Sequence, residues 1–121
     1  MQEKDFYKAV GVYYLENTDY DAVELKFTRT DRFPFSDLPA HQESALLNPW
    51  YYKIPDNGMG QKPLDIVLKR HPAPLVIVYY KPGATEIYEI AIRDFIHRKY
   101  TSKEKSLHIN DARIIGKQIH L

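Results

Sequence analysis

Polar and apolar positions fall into short blocks along this chain. The most apolar block, residues 73–80, includes six uninterrupted apolar positions from Leu75 to Tyr80. A run this short, rich in β-branched residues and followed by Pro82-Gly83, predicts a central strand buried on both faces. Residues 86–92 alternate well enough to pair back on it as a hairpin. Upstream, 5–15 and 20–28 are rich in aromatic and β-branched types and read as two strands. The turn residues Glu16-Asn17-Thr18-Asp19 join them into an antiparallel hairpin. A polar loop covers 29–38. A short helix runs from about 39 to 47, with Ser36 or Asp37 as its cap, and Asn48-Pro49 stops it. Strands are expected at 50–54 and 64–68, around an irregular turn at 55–60. Helices are expected at 94–100 and 110–116. The pattern describes one domain, 1–121, of mixed α/β (α+β) class: a sheet flanked by short helices.

With 121 residues the chain is too short for two full cores. It has no cysteine, which removes disulfides, thiolate metal sites and a cysteine nucleophile. No apolar run is long enough to span a membrane. Met1 to Lys4 carry mixed charge with no apolar stretch behind them, which speaks against a signal peptide. An intracellular, cytoplasmic protein is the expectation. The net charge of +1 conceals a gradient: 1–48 hold five Lys/Arg and nine Asp/Glu, whereas 93–121 hold seven and three. One reading is solvated surface throughout. The other is carboxylates gathered for a cation, beside a surface that meets polyanion.

Candidate chemistry centres on Glu24-Leu25-Lys26. Strand alternation puts Glu24 and Lys26 on one face and Leu25 on the other. In the expected hairpin, Asp5 comes back to their level. Two converging carboxylates repel unless a cation lies between them, and a hard ion such as Mg²⁺ takes oxygen ligands while keeping several waters. Beyond the strand, Gln42 opens a helix, and its neutral amide can orient a water without adding charge.

This arrangement (an acid, Glu-x-Lys closing a hairpin, then a helix bearing Gln) resembles the PD-(D/E)xK nuclease superfamily. The segment ELK-FTRTDR-FPFSDLPAHQ is similar, more narrowly, to the RecU-type Holliday junction resolvases of bacteria and phages. The resemblance implies a restriction-endonuclease-like mixed sheet. It implies Asp5 and Glu24 as metal-binding acids, with the Leu25 backbone carbonyl as a third ligand. Lys26 would act on the nucleophile or phosphate, Gln42 would sit at the edge of the site, and Arg29 and Arg32 would lie on the DNA backbone. The implied activity is Mg²⁺-dependent (Mn²⁺ may substitute) cleavage of four-way junctions by a two-fold homodimer, without membrane or organic cofactor. Two departures stand out. Such nucleases carry a helix with another Glu before the first strand, whereas this chain reads as starting at the strand. Their Pro-Asp or Val-Asp is Lys4-Asp5 here.

Asp21 and Asp65 are alternative second acids. His41 beside Gln42, and Lys53 and Lys62 flanking the loop 56–62, are further candidate DNA contacts. The five histidines show no metal-binding spacing. Two other functions stay open: a nuclease of the same fold acting on flaps, nicks or ends, and a DNA-binding or scaffold protein that has lost cleavage.

Overall fold

The computed structural model describes residues 2–20, 23–48, 50–53, 65–68 and 72–121. Helix α1 (Glu3–Asn17) comes first, followed by β1 (Glu24–Thr28), β2 (Arg32–Pro34), a 3₁₀ turn (Phe35–Asp37) and α2 (Ala40–Leu47). Next are β3 (Trp50–Lys53), β4 (Asp65–Leu68), β5 (Leu75–Tyr79) and β6 (Glu86–Ile90). The chain closes with α3 (Ile92–Thr101), β7 (Ser106–His108), α4 (Ile109–Ile115) and β8 (Lys117–Gln118). The mixed α/β class expected from the sequence is what the structure has. The turn at 55–60 and the candidates Asp21 and Lys62 lie outside the described residues, while Lys53 ends β3 and pairs with Asp65 on β4.

The main sheet has the order β1-β5-β6-β8, with β1 parallel to β5 and the remaining pairs antiparallel. β5 is buried at every position, as its sequence predicts. Leu75, Ile77 and Tyr79 join Leu38, Leu46 and Phe95 in a core on one side. Val76 and Val78 meet Phe6, Val10 and Tyr14 of α1 on the other. The hairpin to β6 turns at Pro82-Gly83, where the Ala84 N–H donates to Lys81 O at 2.8 Å. Gly83 has φ +77°, which suits the third position of a turn with proline before it.

One expectation is overturned. Residues 5–15 are not a strand and make no hairpin with 20–28; they belong to α1. Their aromatic and β-branched content favours a strand, but the buried residues Phe6, Val10 and Tyr14 repeat every four positions, which is helical spacing. As a strand, the segment would align Lys8 with those core residues. Gln2 caps α1, and its backbone N–H donates to the Asp5 carboxylate at 2.7 Å, closing the first turn. The chain therefore does have a helix ahead of its Glu-x-Lys strand. The loop expected at 29–38 also contains β2, which pairs with β7.

At the opposite end of the sheet, Arg113 of α4 grips Glu86 of β6 with two nitrogens, at 2.6 and 2.9 Å. The Tyr88 hydroxyl donates to the same carboxylate. Hydrogen bonds from Arg113 first, then Tyr88, hold the Glu86 carboxyl down to about 2.

Three substitutions test this packing. Gly11→Ala should stabilise α1 by about 0.5–1 kcal/mol, because a Cβ there meets nothing within 4 Å. Gly116→Ala should destabilise, because its Cβ would fall 2.7 Å from Ala112 O and 3.0 Å from Glu89 O; urea titration measures both variants. Because the Glu86 pKa is depressed on folding, its contribution is present above the ordinary carboxylate range and lost as pH falls toward about 2. Carboxyl NMR should show that low midpoint, and Arg113→Ala should return it toward the ordinary value.

Candidate functional site

Glu24 and Lys26 lie on β1, in register with Leu75 and Ile77. They therefore face the α2 side of the sheet, while Leu25 and Phe27 pack under α1. The Lys26 Nζ is 3.5 Å from Glu24 Oε1, and both side chains are half-buried. This is the side-by-side acid and amine that the sequence predicts.

β1 is the end strand, and its ladder decides which peptide groups are free. The Glu24 N–H donates to Pro74 O at 3.1 Å, and Thr28 O accepts from Tyr80 N–H at 2.8 Å. Even-numbered residues of β1 thus turn their peptide groups toward β5. Leu25 and Phe27 turn theirs to the outer edge, where no described strand pairs with them. The Leu25 carbonyl is presented there beside Glu24. A groove of about 360 Å³ follows this edge, lined by Tyr7, Val10, Gly11, Val23, Glu24, Leu25 and Lys26.

α1 brings Tyr7 to this groove and Glu3 to the one beside it, and the sequence reading missed both. The Tyr7 hydroxyl donates to Glu3 Oε1 at 3.3 Å. Its pKa is raised by burial first, then by Glu3, with Glu24 adding to the effect, so it remains a proton donor at neutral pH. Glu3, Tyr7 and Arg29 share the next groove along the edge. The Arg29 guanidinium lies 5.1 Å from the Phe27 ring and 5.3 Å from the Tyr80 ring, and those rings stack on each other at 5.4 Å. Stacking holds the cation without neutralising it. A helical reading of 3–17 would have flagged Glu3 and Tyr7, because they are one turn apart on the same side.

Asp5 does not join this group. Residues two apart on a helix point to nearly opposite sides, and Asp5 lines a separate groove with Lys8, Val12 and Glu16. The hairpin argument that carried Asp5 to Glu24 fails with the hairpin. Asp65 starts β4, which pairs with β3 outside the main sheet. Arg32 is exposed on β2 and lies 3.9 Å from Glu104. Its backbone oxygen accepts from the Thr28 and Thr30 hydroxyls at 2.9 and 2.8 Å, which fixes the turn carrying Arg29.

On α2, His41 is exposed. The Gln42 amide oxygen is buried without a hydrogen-bond partner among the described residues, and no described bond joins it to Glu24 or Lys26. The buried neighbour is Glu43. Its Oε1 is 3.0 Å from Lys99 Nζ, and its Oε2 accepts from the Tyr100 hydroxyl at 3.1 Å. Lys99 also donates to Leu38 O at 2.9 Å. This pair locks the helix bearing His41 and Gln42 onto α3.

Among the described residues, no three Asp, Glu or His side chains converge as a metal cluster. The donors at the edge are oxygens: the Glu24 carboxylate and the Leu25 carbonyl in one groove, and the Glu3 carboxylate in the next. That set suits a hard divalent ion that keeps most of its waters. Comparison with family models, curated proteins and solved structures finds no match for this chain.

Lys99→Met should lower stability by about 3 kcal/mol, because it strands the Glu43 carboxylate in the interior. Denaturant unfolding measures this, and a Glu43→Gln/Lys99→Met double variant should recover part of the loss.

Proposed function

We propose that this chain is a metal-dependent endonuclease with a restriction-endonuclease-like core, hydrolysing DNA phosphodiesters at branched structures, four-way junctions foremost, inside the cell. The observation that carries the reading is the Glu24–Lys26 pair on an end strand whose Leu25 carbonyl faces outward. Two features add support. A helix with a glutamate in its first turn precedes that strand, as in the nucleases the sequence resembles. The His41-Gln42 helix follows it.

In this reading Glu24 and the Leu25 carbonyl hold Mg²⁺ or Mn²⁺, and Glu3 takes the role of second acid that Asp5 cannot fill. When bound, the ion supplies a polarised phosphate and an acidified water. Lys26 stabilises the negative charge that grows on the phosphoryl oxygens. Glu24, 3.5 Å away, holds the Lys26 amine in place. Tyr7 donates to Glu3 and limits the positions its carboxylate can take. Arg29, held over two rings, meets a backbone phosphate, so binding follows shape and charge rather than base sequence. Symmetric resolution calls for a two-fold homodimer with one site per copy. A second reading, a DNA-binding protein without cleavage, is favoured by one observation: no described strand with an acid pairs against β1.

Labelled four-way junction, flap and linear duplex, with and without Mg²⁺, separate these readings. Symmetric nicking of the junction alone supports resolution. Cutting of flaps instead moves the substrate, and binding without cutting in Mg²⁺ or Mn²⁺ supports the second reading. Glu24→Gln and Lys26→Ala should abolish cutting and leave junction binding within several-fold. Wild-type turnover in either would remove the assigned site. Arg29→Ala should weaken binding and reduce the salt slope by about one unit.

A further inference from the structure

Tyr7 is 46% exposed, and its place matters more than its exposure, because single exposed aromatics are common on protein surfaces. It borders the groove along β1 that holds Glu24, Leu25 and Lys26. It also borders the next groove, which holds Lys4 and Arg29. Among the described residues, Tyr7 alone belongs to both. Lys26 and Arg29 are three residues apart, about 10 Å along an extended chain. An aromatic face thus lies where two cation-bearing grooves meet.

The charges of the two grooves are Lys4, Lys26 and Arg29 against Glu3 and Glu24, an excess of one positive charge. Lys4 is exposed and makes no ion pair among the described residues. Asp5, on the same turn of α1, borders a different groove and accepts from the Gln2 N–H. The other rings near cations are already covered: Arg29 lies over Phe27 and Tyr80, and Lys99 over Tyr100. No ring or cation stacks on Tyr7 among the described residues. Its hydroxyl bond to Glu3 restricts the ring, so less freedom is lost when a flat group docks. An aromatic face between cations is how proteins hold single strands, with bases on the ring and phosphates on the charges. A base inside an intact duplex has both faces covered and cannot use the ring.

We infer that Tyr7 stacks on an unpaired base next to the phosphate held at Lys26. The DNA this protein engages therefore carries an opened nucleotide at that point, as at a flap or the centre of a branched junction. That the ligand is DNA rests on the reading under Proposed function; the stacking itself does not depend on cleavage.

Oligonucleotides carrying 2-aminopurine at one position test it, the probe unpaired in a gapped duplex and paired in the matching intact duplex. Binding is measured with Ca²⁺ in place of Mg²⁺. Wild type should quench the unpaired probe and bind the gapped form at least about fivefold tighter than the intact one. Tyr7→Phe should keep both properties, although it loses the bond to Glu3. Tyr7→Leu keeps an apolar side chain without a ring; it should lose the quenching and most of the preference, with circular dichroism as the folding check. Quenching that persists in Tyr7→Leu overturns the inference, as does equal binding of gapped and intact DNA by wild type. Absence of any DNA binding overturns it together with the nuclease reading. Cleavage is scored separately in Mg²⁺, so Tyr7-dependent quenching without cutting supports the stacking and counts against the nuclease reading alone.

Discussion

A strand at the end of a sheet can pair only half of its peptide groups within the sheet, and β1 is such a strand. Its parallel register with β5 sets two things at once. Glu24 and Lys26 take one face while Leu25 and Phe27 take the other, and the peptide groups of Leu25 and Phe27 turn outward. A shift of one residue would bury the ion pair under α1 and expose the two apolar side chains. The burial of β5 on both faces makes such a slip costly, so the position of the acid and the amine follows from the packing of a strand that carries neither.

Much of the architecture was legible in the sequence because those signals were local. The apolar run at Leu75–Tyr79, the Pro82-Gly83 turn and the Asn48-Pro49 stop depend on neighbouring residues alone. The first helix was misread because Tyr7, Val10, Val12, Tyr13 and Tyr14 favour a strand by type and a helix by spacing. The decisive fact was tertiary: Phe6, Val10 and Tyr14 bury together against β5 and β6. β8 was missed because two residues between a helix and a tail carry no pattern of their own. They become a strand only because β6 has a free edge.

The same error governed the site. Glu24 and Lys26 lie side by side as expected, because two-residue alternation within one strand is readable from sequence. Asp5 is placed beside them only through the hairpin, and once 3–17 is a helix the acid that shares a groove with Tyr7 and Arg29 is Glu3. The Glu43–Lys99 pair was invisible to a reading centred on Gln42, because its partners are more than fifty residues apart and meet only where α2 packs on α3. Arg29 enters the site through the family resemblance alone. The stacked Phe27 and Tyr80 rings beneath it supply the physical reason it stands free for an anion.

The central claim is that the β1 edge, with Glu24 and the outward Leu25 carbonyl, is where a hard divalent ion sits. Titrating substoichiometric Mn²⁺ into isotope-labelled protein, and following amide relaxation, tests it most directly. The account predicts selective broadening of Tyr7, Leu25 and Phe27 that Glu24→Gln removes and excess Mg²⁺ reverses. Broadening centred on Asp5 and Glu16 instead, or none at all, would contradict it.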